Sequence, residues 1–350
     1  MNDQRVRRSR QEKLDELSER LERAVEELVT GEQWRRAMVF AARFRSRSFA
    51  NTLLILSQHT DAYEQGRVPD PFPSYVAGFR QWQQLGRSVV KGQAGYMIWS
   101  PVKARFASPQ PDDPNSWRRL GRYERPDPGE AVRRRVVGMK PAYVWDVSQT
   151  AGEPIPERPE PAMLQGHAPE GLWDGLAAQV RRLGFALDDA PDAAALAGAD
   201  GVTRFNDRAV VIRSDMSEAA RVATLVHELA HIMLGHGPGD DRHRGIREVE
   251  AESTAAMVTA SFGLDTQANS MPYVAGWSST VNGRDPADVV RTTGERARAT
   301  ALSILDKLPE APLGDGTPPG AQMTQPDFDT PGAIAATGPE AERAAVRAEM

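Results

Sequence analysis

The sequence predicts an α+β protein of two domains: an N-terminal α+β domain, and a C-terminal domain that is mostly helical with a small β-sheet. Three observations carry this expectation. Helical and strand-like patterns both occur within residues 1–150, whereas the second half is dominated by helical periodicity. Residues 151–169 hold five prolines and read as an interdomain linker. Composition also changes across that linker. Residues 1–150 carry 26 Lys and Arg against 18 Asp and Glu, about +8, while the remaining 200 carry 17 against 30, about −13. Of the 23 aromatic residues, 16 lie in the first 150. A length of 350 residues suffices for two such domains.

Leu14, Leu17, Leu21, Val25 and Leu28 recur at helical spacing and predict an amphipathic helix over 10–30. A second helical stretch covers 32–59, with Trp34, Met38, Phe40 and Phe44 on its apolar side and Leu53 to Leu56 as core. Val89-Val90 and Tyr96 to Trp99 read as strands joined by a Gly-containing turn at 91–95. Residues 106–130, rich in Pro, Asp and Arg, read as an exposed loop, and strand signals return at Val136-Val137 and 143–147. In the second half, a helix at 170–183 precedes a hairpin that turns at Asn206-Asp207. A strong helix then follows from a cap at Asp215, with Val222, Leu225, Val226, Leu229 and Met233 as its stripe and Gly235 as its stop. Further helices cover 246–262 and 294–307, and 309–350, rich in Gly and Pro, reads as a disordered tail. The domains are thus 1–150, the linker 151–169, the second domain 170–308 and the tail.

The chain has no cysteine, which excludes disulfide scaffolds, thiolate zinc sites, iron–sulfur clusters and cysteine nucleophiles. No run approaches 18 apolar residues and the first thirty residues are charged throughout, so the expectation is a cytoplasmic protein without a membrane partner. The basic, aromatic-rich first half has what an unpaired nucleic-acid strand needs, cations for phosphates and rings for bases. Within it, Arg80, Trp82, Arg87 and Lys91 interleave charge and ring and are the candidate contacts to single-stranded DNA.

His227-Glu228-Leu229-Ala230-His231 forms an HExxH pattern inside the best-defined helix. Residues i and i+4 share a helical face, so His227 and His231 can bind one Zn2+, with Glu228 as the base for a water polarised by the metal. A catalytic zinc needs a third protein ligand. With no cysteine, that ligand is a carboxylate or another His, and the choice is Glu250, nineteen residues after His231 and followed by small alanines that allow close helix packing; Glu248 and Glu252 are the alternatives. His236 and His243 complete a histidine cluster, and Tyr273 could donate a hydrogen bond to a developing oxyanion.

Leu225 to His236 (LVHELAHIMLGH) and Glu248 to Met257 (EVEAESTAAM) resemble the ImmA/IrrE family of zinc metallopeptidases, over roughly 170–280. That resemblance implies a zincin-like metallopeptidase domain and matches its glutamate segment to Glu250-Ala251-Glu252. Ser48 to Gln58 (SFANTLLILSQ) and Ala77 to Gly95 (AGFRQWQQLGRSVVKGQAG) are similar to the ArdC-type N-terminal domain of antirestriction proteins from mobile elements. This second resemblance implies a single-stranded-DNA-binding domain. Together they imply a zinc-dependent intracellular metallopeptidase, acting on a protein or peptide substrate, fused to a single-stranded-DNA-binding domain in antirestriction or mobile-element biology. The alternative is a non-proteolytic DNA-binding antirestriction protein with a structural or regulatory metal.

Overall fold

The structure, a computed structural model, describes residues 10–28, 30–156, 166–264, 285–309, 311 and 314–321. Three helices open the chain: α1 (Arg10–Glu26), α2 (Gly31–Arg43) and α3 (Phe49–Glu64). The expected single stretch over 32–59 is broken at 44–48 because the Ser48 hydroxyl accepts from the Asn51 amide at 3.3 Å and starts a new helix. Strand β1 (Val76–Gly78), the short α4 (Phe79–Gln84) and β2 (Arg87–Val89) follow.

Strands β3 (Tyr96–Ser108) and β5 (Ala131–Asp146) then pair antiparallel from Tyr96↔Val144 to Ser108↔Ala131, with a bulge at Val102/Lys103. With β1 and β4 (Arg118–Arg119) they form a sheet ordered β1-β5-β3-β4. The expected loop at 106–130 therefore starts later, after Ser108, and is interrupted by β4, while its end at 130 agrees with the start of β5; the two expected strands at 136–137 and 143–147 are one. β6 (Thr150–Gly152) pairs with β2.

After α5 (Leu172–Arg182), β7 (Ala186–Ala190) lies parallel to β9 (Ala209–Arg213), and β8 (Gly201–Arg204) pairs antiparallel with β9 across the expected Asn206-Asp207 turn. β8 is an edge strand of this sheet. Then come α6 (Glu218–Leu234), α7 (Arg244–Ser261) and α8 (Pro286–Leu305). α6 is capped by Ser217, whose hydroxyl accepts from the Ala220 amide; Asp215, the expected cap, pairs with Arg213 at 2.7 Å instead.

The core does not divide at the expected linker. One cluster of buried side chains runs from Leu17 of α1 through Trp34, Phe49, Val144, Leu176 and Leu225 to Ile304 of α8. α2 packs on α7, and α8 packs on α1, α2 and α3. The Trp34 indole donates to Ser253 Oγ at 2.8 Å, and the Phe49 amide donates to Glu295 at 2.7 Å. Both bonds cross between the expected domains.

Trp34 and Phe49 are buried against the C-terminal helices, so side chains of 1–150 and of 170–308 share one cluster. Residues 157–165 of the expected linker and 322–350 of the expected tail lie outside the described residues. Residues 314–321, inside that tail, are docked. The Val76 amide donates to the Gly316 carbonyl at 3.1 Å and Ser46 Oγ to the Asp315 carbonyl at 3.2 Å. No helix among the described residues is long and apolar enough to cross a membrane.

Candidate functional site

α6 turns Val222, Leu225, Val226 and Leu229 into the core, which leaves His227 and His231 one turn apart on its edge. Their Nε2 atoms lie 3.0 Å from each other and 3.6 and 3.7 Å from Glu248 Oε2 on α7. These three atoms converge as metal donors would. A point equidistant from three atoms so spaced is about 2.0 Å from each, which is the length of a zinc bond to imidazole or carboxylate. Two imidazoles and one carboxylate so spaced therefore fit a small divalent ion.

Glu250, the third ligand favoured by the sequence, is placed elsewhere, because residues two apart on a helix point in nearly opposite directions. Its side chain is 1% exposed, and it accepts from His236 Nε2 at 2.9 Å, from Arg242 at 3.0 Å and from Arg296 of α8 at 2.6 Å. His236 Nδ1 in turn lies 2.7 Å from His231 Nδ1. With Glu250 accepting from His236 Nε2–H, His236 Nδ1 is left to accept from His231 Nδ1–H, so His231 presents a bare Nε2 to the metal position. Burial lowers the pKa of His236 and outweighs the pull of Glu250, which keeps the ring neutral for this relay. Glu252, four residues from Glu248 and on the same face, receives His227 Nδ1 at 3.1 Å. Each metal-facing imidazole thus has its far nitrogen held by a partner, as metal sites usually arrange.

The same placement polarises the charges. Burial works against charge on His227, but its hydrogen bonds to Glu248 and Glu252 prevail and raise its pKa to about 10. Glu248 is held well below the ordinary carboxylate range by hydrogen bonds from His227 and His231.

Glu228 is buried and its carboxylate accepts from Thr203 Oγ1 of β8 at 2.7 Å. β8 reaches α6 this closely because Gly201 has no side chain; a Cβ there would lie 2.6 Å from Thr224 and 2.8 Å from Ile212. Thr203 was missed by sequence reasoning; His236 and Glu252 were singled out, as a member of the histidine cluster and as an alternative ligand, but not as partners that hold the two imidazoles. His243 caps α7, accepting from the Gly245 amide at 3.1 Å. Tyr273 lies outside the described residues.

The four proposed DNA contacts separate. Trp82 is fully buried, its indole donating to the Trp145 carbonyl at 3.0 Å, so it anchors the core and offers no stacking face. Arg87 is spent on Thr150 Oγ1 and the Thr150 carbonyl, each at 2.9 Å, and on the Glu153 carbonyl, which clamps β2 to β6. Arg80 and Lys91 are exposed.

A second basic surface, formed by Arg105 and the run Arg133-Arg134-Arg135, lies on the β3–β5 arm. Cross-strand neighbours there are Phe106↔Arg133 and Arg105↔Arg134, and the Arg133 guanidinium stacks 3.5 Å over Trp117. Val132 and Val136 stand exposed beside these cations. Arginines placed directly opposite each other repel, and an anion between them would relieve that cost.

An uncharacterized protein of Bacillus anthracis is 26% identical over 287 residues, 77% of this chain and 46% of that protein. The chain thus spans about half the length of this curated relative. Crystal structures of the antirestriction ArdC protein from plasmid R388 are similar over 75% of this chain. The metal-free form has a TM-score of 0.46 at 17% identity, with 84% of that chain covered, and the Mn(II)-bound form 0.44 at 19%, with 88% covered. Residues 7–145 match the family model of the N-terminal domain of anti-restriction factor ArdC, and this part of the chain is ArdC-like.

Proposed function

We propose that this protein is a metal-dependent hydrolase of peptide bonds joined to a nucleic-acid-binding, ArdC-like half, and that it acts in antirestriction. The observation that carries the hydrolytic reading is Glu228. It is a buried carboxylate that is not among the converging donors, yet it is aimed by a dedicated hydrogen bond from Thr203. A purely structural metal site has no use for such a group.

His227, His231 and Glu248 would hold the ion. A divalent metal bound there supplies Lewis acidity toward a carbonyl and lowers the pKa of water. Glu228 takes the proton and can return it to a leaving amine. Thr203 keeps the Glu228 carboxylate oriented, and His236 and Glu252 fix the two imidazoles. Zinc suits this nitrogen and oxygen donor set, and Mn(II) is the second metal to try.

A second reading, protection by occupying DNA with the metal only structural, is favoured by the basic arm and by the ArdC-like match. One set of measurements separates the two. Wild-type and Glu228→Gln proteins, loaded with Zn(II) or Mn(II), are compared for metal content, cleavage of a peptide library, and protection of DNA from a restriction endonuclease. Retained metal with lost cleavage and lost protection supports the hydrolase reading. An inert, fully metallated wild type overturns it, and undiminished protection by Glu228→Gln supports occupancy.

A further inference from the structure

Beside the metal centre lies a cleft of about 520 Å³, lined by Thr203, Arg204, Phe205, His236 and Arg247 among others. Its floor is shared with the centre, because Thr203 holds Glu228 and His236 holds His231. Two cations face it. Arg204 ends β8 and is exposed, and Arg247 immediately precedes the metal-facing Glu248. Neither has an ion pair among the described residues, in contrast to Arg242 and Arg296 nearby, which both grip Glu250. The Arg247 Nε is buried without a hydrogen-bond partner. That nitrogen is sealed from the cleft, so any contact to a ligand would come from the terminal guanidinium nitrogens, for which no ion pair competes among the described residues. Asp207 is the one carboxylate in the lining, so the cleft is net positive within an acidic half of the chain.

We infer that this cleft is an anion subsite that receives an acidic side chain of the peptide substrate, held by Arg204 and Arg247. This rests on the hydrolase reading above and adds a specificity to it. A peptide is favoured over a phosphate-bearing strand because of β8. It pairs only with β9 among the described residues, so its outer edge offers backbone donors and acceptors to an extended peptide running past the metal centre. A nucleic acid has no matching ladder.

The test uses binding without turnover. Metal-loaded Glu228→Gln protein is titrated with N-terminally fluorescent, C-terminally amidated pentapeptide pools whose central residue is Asp, Glu, Asn or Gln, read by anisotropy. Acidic pools are expected to bind about tenfold more tightly than the amide pools, as charge-assisted bonds to guanidinium would give. Added Arg204→Gln or Arg247→Gln should remove that difference. Arg182→Gln, the same charge loss on α5, should keep it.

Equal binding of acidic and amide pools, no binding at millimolar peptide, or a preference that survives Arg247→Gln overturns the inference. So does displacement of the peptide by oligothymidylate in an Arg247-dependent way, which would make the cleft a phosphate site. The two readings fail separately. Wild-type cleavage without acidic preference removes this subsite alone, and acidic preference alongside an inert wild type removes the hydrolase alone.

Discussion

Replacing Glu248 or Glu250 by glutamine separates the two jobs that the structure gives to acids of α7. Glu248 supplies a donor oxygen and its side chain is 38% exposed, with Arg244 at a loose 4.0 Å. Its loss should therefore cost metal affinity and little fold stability. Removing a partner that merely orients a ligand costs 10- to 100-fold in affinity, so loss of the ligand itself should exceed about 100-fold, or ~2.7 kcal/mol. Glu250 presents the reverse case. Its carboxylate is 1% exposed and carries two guanidiniums and an imidazole. Breaking a buried pair costs about 3–5 kcal/mol, and the partial exposure of Arg242 and Arg296 places this one near ~3 kcal/mol. Metal affinity in Glu250→Gln should fall only about 10- to 100-fold, through His236 and His231. Competition titration with a chromophoric chelator measures the first quantity, and urea unfolding of the metal-free proteins the second. The assignment is refuted if Glu250→Gln loses more metal affinity than Glu248→Gln, or if Glu250→Gln unfolds at the wild-type midpoint.

Three further perturbations follow from the same geometry. Thr203→Val should keep full metal but lower peptide cleavage at least about tenfold, because the bond from Thr203 orients the Glu228 carboxylate; Thr203→Ser should restore the activity. Gly294→Ala would drive a Cβ into the buried Phe49 ring. Overpacking of about 1–3 kcal/mol, offset by about 1 kcal/mol of helix propensity, predicts net destabilisation, and far-UV circular dichroism and metal release should show one shared transition; two separate transitions would contradict the continuous core. His59 donates Nε2–H to the Asp70 carbonyl at 2.9 Å and accepts at Nδ1 from the Tyr96 hydroxyl at 2.8 Å. Burial lowers its pKa in the folded state, so the unfolded chain binds more protons, and this site's contribution is present above about pH 6.5 and lost as pH falls from there through the lowered folded-state pKa. A urea midpoint that does not drop between about pH 7.5 and 5.5 would contradict this, and Tyr96→Phe should cost about 1–3 kcal/mol at neutral pH by stranding a buried acceptor.

What the sequence made legible was local. The spacing of His227 and His231 is a property of a single helix, and the turn at Asn206-Asp207 is a property of two residues, so both follow from nearest neighbours. The third ligand depends on how α7 is rotated against α6, which no single-helix pattern contains. Small alanines after Glu250 signal close packing but not which acid faces the metal. Trp82 shows the same limit in the first half. Its neighbours Arg80 and Lys91 suggest a wet surface, but the ring is directed inward by a bond to the Trp145 carbonyl 63 residues away. The β3–β5 arm was hidden because the prolines and acids of 109–130 mark the turn from β3 to β4 and the crossing from β4 to β5, and carry no signal of the long strands on either side. Ser48, a helix-starting residue, was the overlooked mark of the break between α2 and α3.

The opposite charges of the two halves suggest an electrostatic contact between separate domains, but packing joins them more firmly. Exposed charges further apart than about 8–10 Å are largely screened at ordinary ionic strength, whereas burying one large side chain contributes about 1.5–3 kcal/mol with little dependence on salt. Trp34 and Phe49 are both fully buried in the shared core. Three consecutive residues of α8 show what this joining does. Gly294 makes room for the Phe49 ring, Glu295 accepts from the Phe49 amide, and Arg296 grips Glu250, which through His236 orients His231. One turn of one helix therefore touches both the N-terminal helices and the support of the metal centre. A displacement of α3 would therefore reach His231 through packed atoms and short hydrogen bonds, with no change in long-range charge.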